Sequence, residues 1–136
     1  MTALLLALGL GFVAGLRVFT PIAAVLLVRG SVWGILAAVA ALAEYVIDVL
    51  PNCPSRTRPM GLAARAISGG LVGCTIAVLH GGPGPLGAIA GIIGAMIGAF
   101  GGHAARMVAI ARIGPYPAGI AEDIIATGLA ALLVTR

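Results

Sequence analysis

The stretch from Gly84 to Gly102 constrains this chain more than any other, because glycines recur at 84, 87, 91, 94, 98 and 101, in alternating steps of three and four. That spacing places them on one face of a single helix. Between them stand Leu86, Ile89, Ile92, Ile93, Met96, Ile97 and Phe100, with no charged residue. In water so many glycines, at roughly 0.8–1 kcal/mol each relative to alanine, would abolish a helix. In a bilayer, unpaired backbone groups cost several kcal/mol, so the helix is enforced and its bare face becomes a track for close approach by another helix. The rest of the chain should supply a helical bundle.

The composition agrees. Of 136 residues, 61% are hydrophobic and 9% charged, which excludes an ordinary soluble domain and any disordered class and marks an integral membrane protein. Aromatic residues make up 4%, so Ala, Leu, Ile, Val and Gly must fill the core and the helices should sit close together. All eight positive charges are arginines, at 17, 29, 56, 58, 65, 106, 112 and 136. With no basic face outside the membrane, they read as topology signals and lipid contacts, and no nucleic-acid partner is expected. The apolar run from Ala3 lacks a basic flank and exceeds a signal-peptide core, so it is expected to be a retained helix. Cys53 and Cys74 have no metal-ligand spacing and read as packing residues; no metal or cofactor is expected.

About 20 apolar residues cross a bilayer. On that ruler the chain is a single all-α transmembrane domain, 1–136, a compact bundle of five helices over 2–28, 32–50, 60–79, 84–111 and 117–135. The first contains Gly15, Arg17, Thr20 and Pro21, where proline removes a backbone donor and crowds the preceding turn, predicting a kink or break at Arg17–Pro21. The segment 51–59, with three prolines, Arg56 and Arg58, is the most polar; its arginines are expected on lipid headgroups. Positive-inside counting puts Arg56, Arg58, Arg106 and Arg112 on one side and Arg29 and Arg136 on the other, hence a cytoplasmic N-terminus and an external C-terminus. An odd number of helices is what an inverted repeat would need. The echo is weak: Arg17 and Pro21 resemble Arg112 and Pro117, and Ala43-Glu44 resembles Ala121-Glu122, at spacings that disagree.

Depth along the helices is the richest signal. At 1.5 Å per residue, Glu44, Asp48, Arg65, Arg106, Glu122 and Asp123 all fall within roughly 5–12 Å of the cytoplasmic face, with His103 one turn deeper. Each such residue costs about 2.5–3.5 kcal/mol at the bilayer centre, so they are expected to meet. Two arrangements are open. Arg65 and Arg106 neutralise two acids and the layer locks the helices in register, or spare carboxylates bind a cation or proton with His103 as a relay. Arg17, about 20 Å from the same face, has no acid at its level; it either bonds carbonyls freed by the break or holds an anionic ligand or lipid phosphate. Motifs for metalloprotease, serine hydrolase or nucleotide-binding chemistry are absent, so no enzyme is expected. An intramembrane enzyme built on Glu44 and Asp48 is the minor alternative.

Gly15-Leu16-Arg17 with Pro21, Glu44 and Asp48 before Leu50-Pro51, Pro54-Ser55-Arg56-Thr57 with Pro59, Leu62, Arg65 and Ser68-Gly69, His103-Ala104-Ala105-Arg106, and Ala121-Glu122-Asp123 together resemble the small bacterial membrane proteins of the domain of unknown function 4126 family. The resemblance covers nearly the whole chain and departs from the family pattern at Tyr116-Pro117-Ala118. It implies a multi-pass, single-domain inner-membrane protein and no particular activity. The resulting expectation is a homodimer, joined through glycine faces, that binds or passes a small ion or polar solute at a layer of Arg17, Glu44, Asp48, Arg65, His103, Arg106, Glu122 and Asp123. The rival is a non-catalytic structural or lipid-binding membrane protein whose charged layer is internal ion pairing.

Overall fold

A computed structural model describes residues 2–49 and 58–136. Six α-helices make up the described chain: α1 Thr2–Leu16, α2 Phe19–Val28, α3 Val32–Val49, α4 Pro59–Leu79, α5 Gly84–Ile113 and α6 Pro115–Val134. Three of them, α4, α5 and α6, are long and apolar enough to cross a membrane, in place of the five expected, while α1 and α2 are shorter apolar helices.

The first predicted helix is two. Arg17 N–H still bonds Val13 O at 2.7 Å, but α2 restarts at Phe19 with Pro21 in its first turn, where the ring would crowd the carbonyl of residue 17 if the helix ran on. The chain then doubles back, and Ile22 and Val25 of α2 pack with Leu6 and Leu10 of α1 over Val72 and Ile76 of α4. The turn into α3 is a Schellman cap: Gly30 is left-handed at φ 66°, Gly30 N–H bonds Leu27 O at 2.9 Å and Ser31 N–H bonds Leu26 O at 3.0 Å. The same cap, with Gly81 at φ 70°, joins α4 to α5.

The glycine track of α5 is consumed inside the chain. Gly87 and Gly91 lie against Gly73, Ala77 and Gly69 of α4, and Gly94 and Gly98 lie against Leu8, Phe12 and Gly15 of α1, so close that an added Cβ would overlap the backbone opposite. The buried glycines of α5 thus meet α1 and α4 of the same chain. The track also continues through buried Gly102, against Leu16, and not through Gly101, which faces open space.

Ala3 approaches Gly82, and Gly9 approaches Leu133 near the chain's end. The first turn of α1 and the last turn of α6 therefore lie toward the end of the bundle that carries the 29–31 and 80–83 turns, away from Arg58 and Arg112. Five crossings would instead have put the two ends of the chain at opposite ends of the bundle. The two halves pack differently: α4 lies along α5 for much of its length, whereas α1 meets α2 chiefly through Leu6, Leu10, Ile22 and Val25.

Candidate functional site

At the tip of the α1–α2 hairpin two helix ends expose unpaired backbone groups, carbonyls from α1 and N–H groups from α2. Side chains of opposite sign meet both. Arg65, from the second turn of α4, donates Nε to Gly15 O at 2.9 Å and Nη1 to Gly61 O at 3.1 Å. Glu44 of α3 accepts the Val18 N–H on Oε1 at 2.9 Å and the Phe19 N–H on Oε2 at 3.1 Å. One turn beyond Arg65, Ser68 donates its hydroxyl to Val18 O at 2.6 Å. A cation at a helix C-terminus and an anion at an N-terminus contribute about 0.3–1 kcal/mol each on a surface and up to ~2 kcal/mol where partly buried, so the tip is stabilised from three sides.

Arg17 occupies the tip itself and is 1% exposed. Its Nη1 donates to Asp48 Oδ2 at 2.5 Å and its Nη2 to Asp123 Oδ1, while its guanidinium carbon lies 4.9 Å from the centre of the Tyr45 ring. Arg106 of α5 donates Nη1 to the same Asp48 Oδ2 at 2.8 Å and to Glu122 Oε2 at 3.4 Å, and Nη2 to the Asp48 carbonyl at 3.4 Å. The series Asp123, Arg17, Asp48, Arg106, Glu122 alternates in sign and ties the hairpin, α3, α5 and α6 together. All four acidic residues of the chain converge there. Beside them the Tyr45 hydroxyl bridges Thr20 Oγ1 at 2.8 Å and Thr127 Oγ1 at 2.9 Å.

Two expected roles are exchanged. Arg17, expected to stand alone, carries two carboxylates, and the carbonyl freed at the break is taken by Arg65. The cause is direction: α1 enters from the end opposite the arginine-rich one, and 15 residues at 1.5 Å carry its tip about 22 Å, down to the acids. Glu44 and Asp48 share a helix face but serve different partners. His103 is half-buried and makes no hydrogen bond or ion pair with any described residue. It is outside the network. Arg58 is exposed at the start of α4, and Arg56 lies outside the described residues. Tyr45, Thr20, Ser68 and Thr127 were not anticipated; Tyr45 adjoins Glu44 and Ser68 is three residues from Arg65, positions that helical spacing could have flagged.

Two lateral grooves flank α6. One, of about 400 Å³, runs between α5 and α6 over Phe12, Leu16, Gly101, Ala105, Ala118 and Ile125, with Arg106 and Glu122 on its wall. The other, of about 430 Å³, lies between α2, α3 and α6 and reaches Thr20, Tyr45 and Thr127. Among the described residues, no group of three or more His, Cys, Asp or Glu side chains could hold a metal ion, and Arg17 Nε is a buried donor without an acceptor. No family model, no curated protein and no solved structure matches the chain.

Proposed function

We propose that this is a non-catalytic integral membrane protein that binds lipid along its flanks and whose charged layer is an internal lock on a re-entrant hairpin. One observation carries this reading: each acid of the layer already has a partner, Asp48 with Arg17 and Arg106, Asp123 with Arg17, Glu122 with Arg106, and Glu44 with two backbone N–H groups. A cation would have to displace an arginine to enter. Counting Arg56, Arg58 and Arg112 against Arg29 and Arg136 in the sequence, the positive-inside bias favours the cytoplasmic side of the inner membrane for the end bearing Arg58 and Arg112. The resemblance to the 4126 family, carried by the motifs quoted above, fits the same description.

A second reading, passage of a small ion or polar solute, draws support from the hairpin, since transporters build midplane sites from the ends of broken helices. Here Glu44 and Arg65 occupy those ends. Flux measurements on purified protein in liposomes separate the two. The lock reading expects proton and monovalent-cation flux equal to that of protein-free vesicles. Flux that disappears on Glu44→Gln or Glu122→Gln would overturn it in favour of passage.

A further inference from the structure

We propose that the α5–α6 groove seats one acyl chain of an anionic phospholipid, with its phosphate at Arg112. This rests on the lipid-binding reading above and names the ligand and its place.

The groove is a trough floored by small residues, Gly101, Gly102 and Ala105 from α5 and Ala118 and Ala121 from α6, between the larger walls of Phe12 and Ile125. From Ile97 to Ala109 it extends twelve residues along α5, about 18 Å at 1.5 Å per residue, the scale of an acyl chain. Gly101 has nothing within 4 Å of where its Cβ would stand, so the trough is open at that point. A groove open to hydrocarbon on a membrane-spanning face must be filled by something apolar.

Charge selects the occupant's other end. Ala105 and Ala109 line the groove, and Arg112 follows them on the same helical face, seven and three residues on. Arg112 is exposed in the last turn of α5 and pairs with no described acid, while all four acids lie deeper, in the layer. The mouth is therefore cationic where a phospholipid whose acyl chain lies in the groove would present its phosphate. A second copy of the chain would bring the same arginine-rich end to this mouth, and like charges disfavour it.

Native mass spectrometry of the detergent-purified protein, titrated separately with phosphatidylglycerol and phosphatidylcholine, tests the assignment. The expected result is a bound phosphatidylglycerol retained in preference to phosphatidylcholine. Arg112→Gln should cut that preference about fivefold, the ratio that corresponds to ~1 kcal/mol per surface arginine. Gly101→Phe, which puts a large apolar side chain into the trough from a position whose Cβ is unobstructed, should remove the adduct without lowering the thermal unfolding midpoint. If the wild type retains phospholipid that Gly101→Phe and Arg112→Gln do not affect, lipid binding stands but this groove is not its site. If the wild type retains no phospholipid, both the assignment and the lipid-binding reading fall.

Discussion

Helices α1, α4 and α5 on one hand, and α6 on the other, are attached by opposite means. The first three meet backbone to backbone through glycines, with no side chain between them along much of their contact. Helix α6 stands between two grooves and is pinned by polar side chains: Asp123 to Arg17, Glu122 to Arg106, and Thr127 to Tyr45. Only 22% of its membrane-crossing segment is buried, against 44% in α4. In lipid there is no hydrophobic force between helices, so association depends on close packing or on polar contacts. This chain uses one device on each side. The glycine side tolerates no added atom, whereas the polar side tolerates added apolar bulk but not a lost charge.

The largest effect that follows is at Gly91. Its Cβ would enter Gly69 of α4, while its own carbonyl already lies where a Cβ on Gly11 of α1 would fall, so neither neighbour can retreat. Overpacking usually costs 1–3 kcal/mol, and with backbone on both sides Gly91→Ala should exceed ~3 kcal/mol. Thermal or denaturant unfolding in detergent measures it. A loss below ~1 kcal/mol would show that the helices part easily and would erase the contrast with α6.

The glycine side was the more legible from sequence. Period and apolar filling identified the α5 track from residues alone, and only its partners and its last step, Gly102 in place of Gly101, needed the structure. The charged layer was half legible. Depth on the helices located Asp48, Arg106, Glu122 and Asp123 together, because each sits a fixed number of residues from a helix end. Arg17 escaped because its depth depends on which way α1 runs, and a break followed by reversal leaves the same run of apolar residues as a kinked crossing. Capping by Glu44 and Arg65 escaped for the same reason, since the helix ends they satisfy exist only after the reversal.

The next effect in size tests the polar side through Arg17→Lys. Arginine spans Asp48 and Asp123 with two separate nitrogens and lies over Tyr45. A lysine keeps the charge but is a single compact ammonium without the planar fork. Losing one arm of a buried pair leaves a carboxylate short of its partner, and full loss costs about 3–5 kcal/mol, so roughly 2 kcal/mol is expected for Lys. The loss should be shared by α6. Cysteine accessibility at residue 126, on the buried face of that helix, should rise in the variant, while accessibility in α4 stays constant. Equal rises in both helices would mean that Arg17 holds the whole bundle and not one side of it.

The smallest effect carries the sharpest form of the comparison, because it repeats the first substitution on the other side. Gly128 is a helical glycine of α6, as Gly91 is of α5, yet an added Cβ there meets nothing within 4 Å. Nothing opposes the methyl group, and alanine removes the conformational freedom that glycine gives the unfolded chain. Gly128→Ala should therefore stabilise by up to about 0.4–1 kcal/mol, read in the same unfolding measurement. The two Gly→Ala variants differ in no chemistry, so their opposite signs isolate the packing mode. A loss at Gly128 approaching that at Gly91 would mean that α6 closes onto a neighbour through its glycine face, and that the grooves beside it are not standing features of the protein.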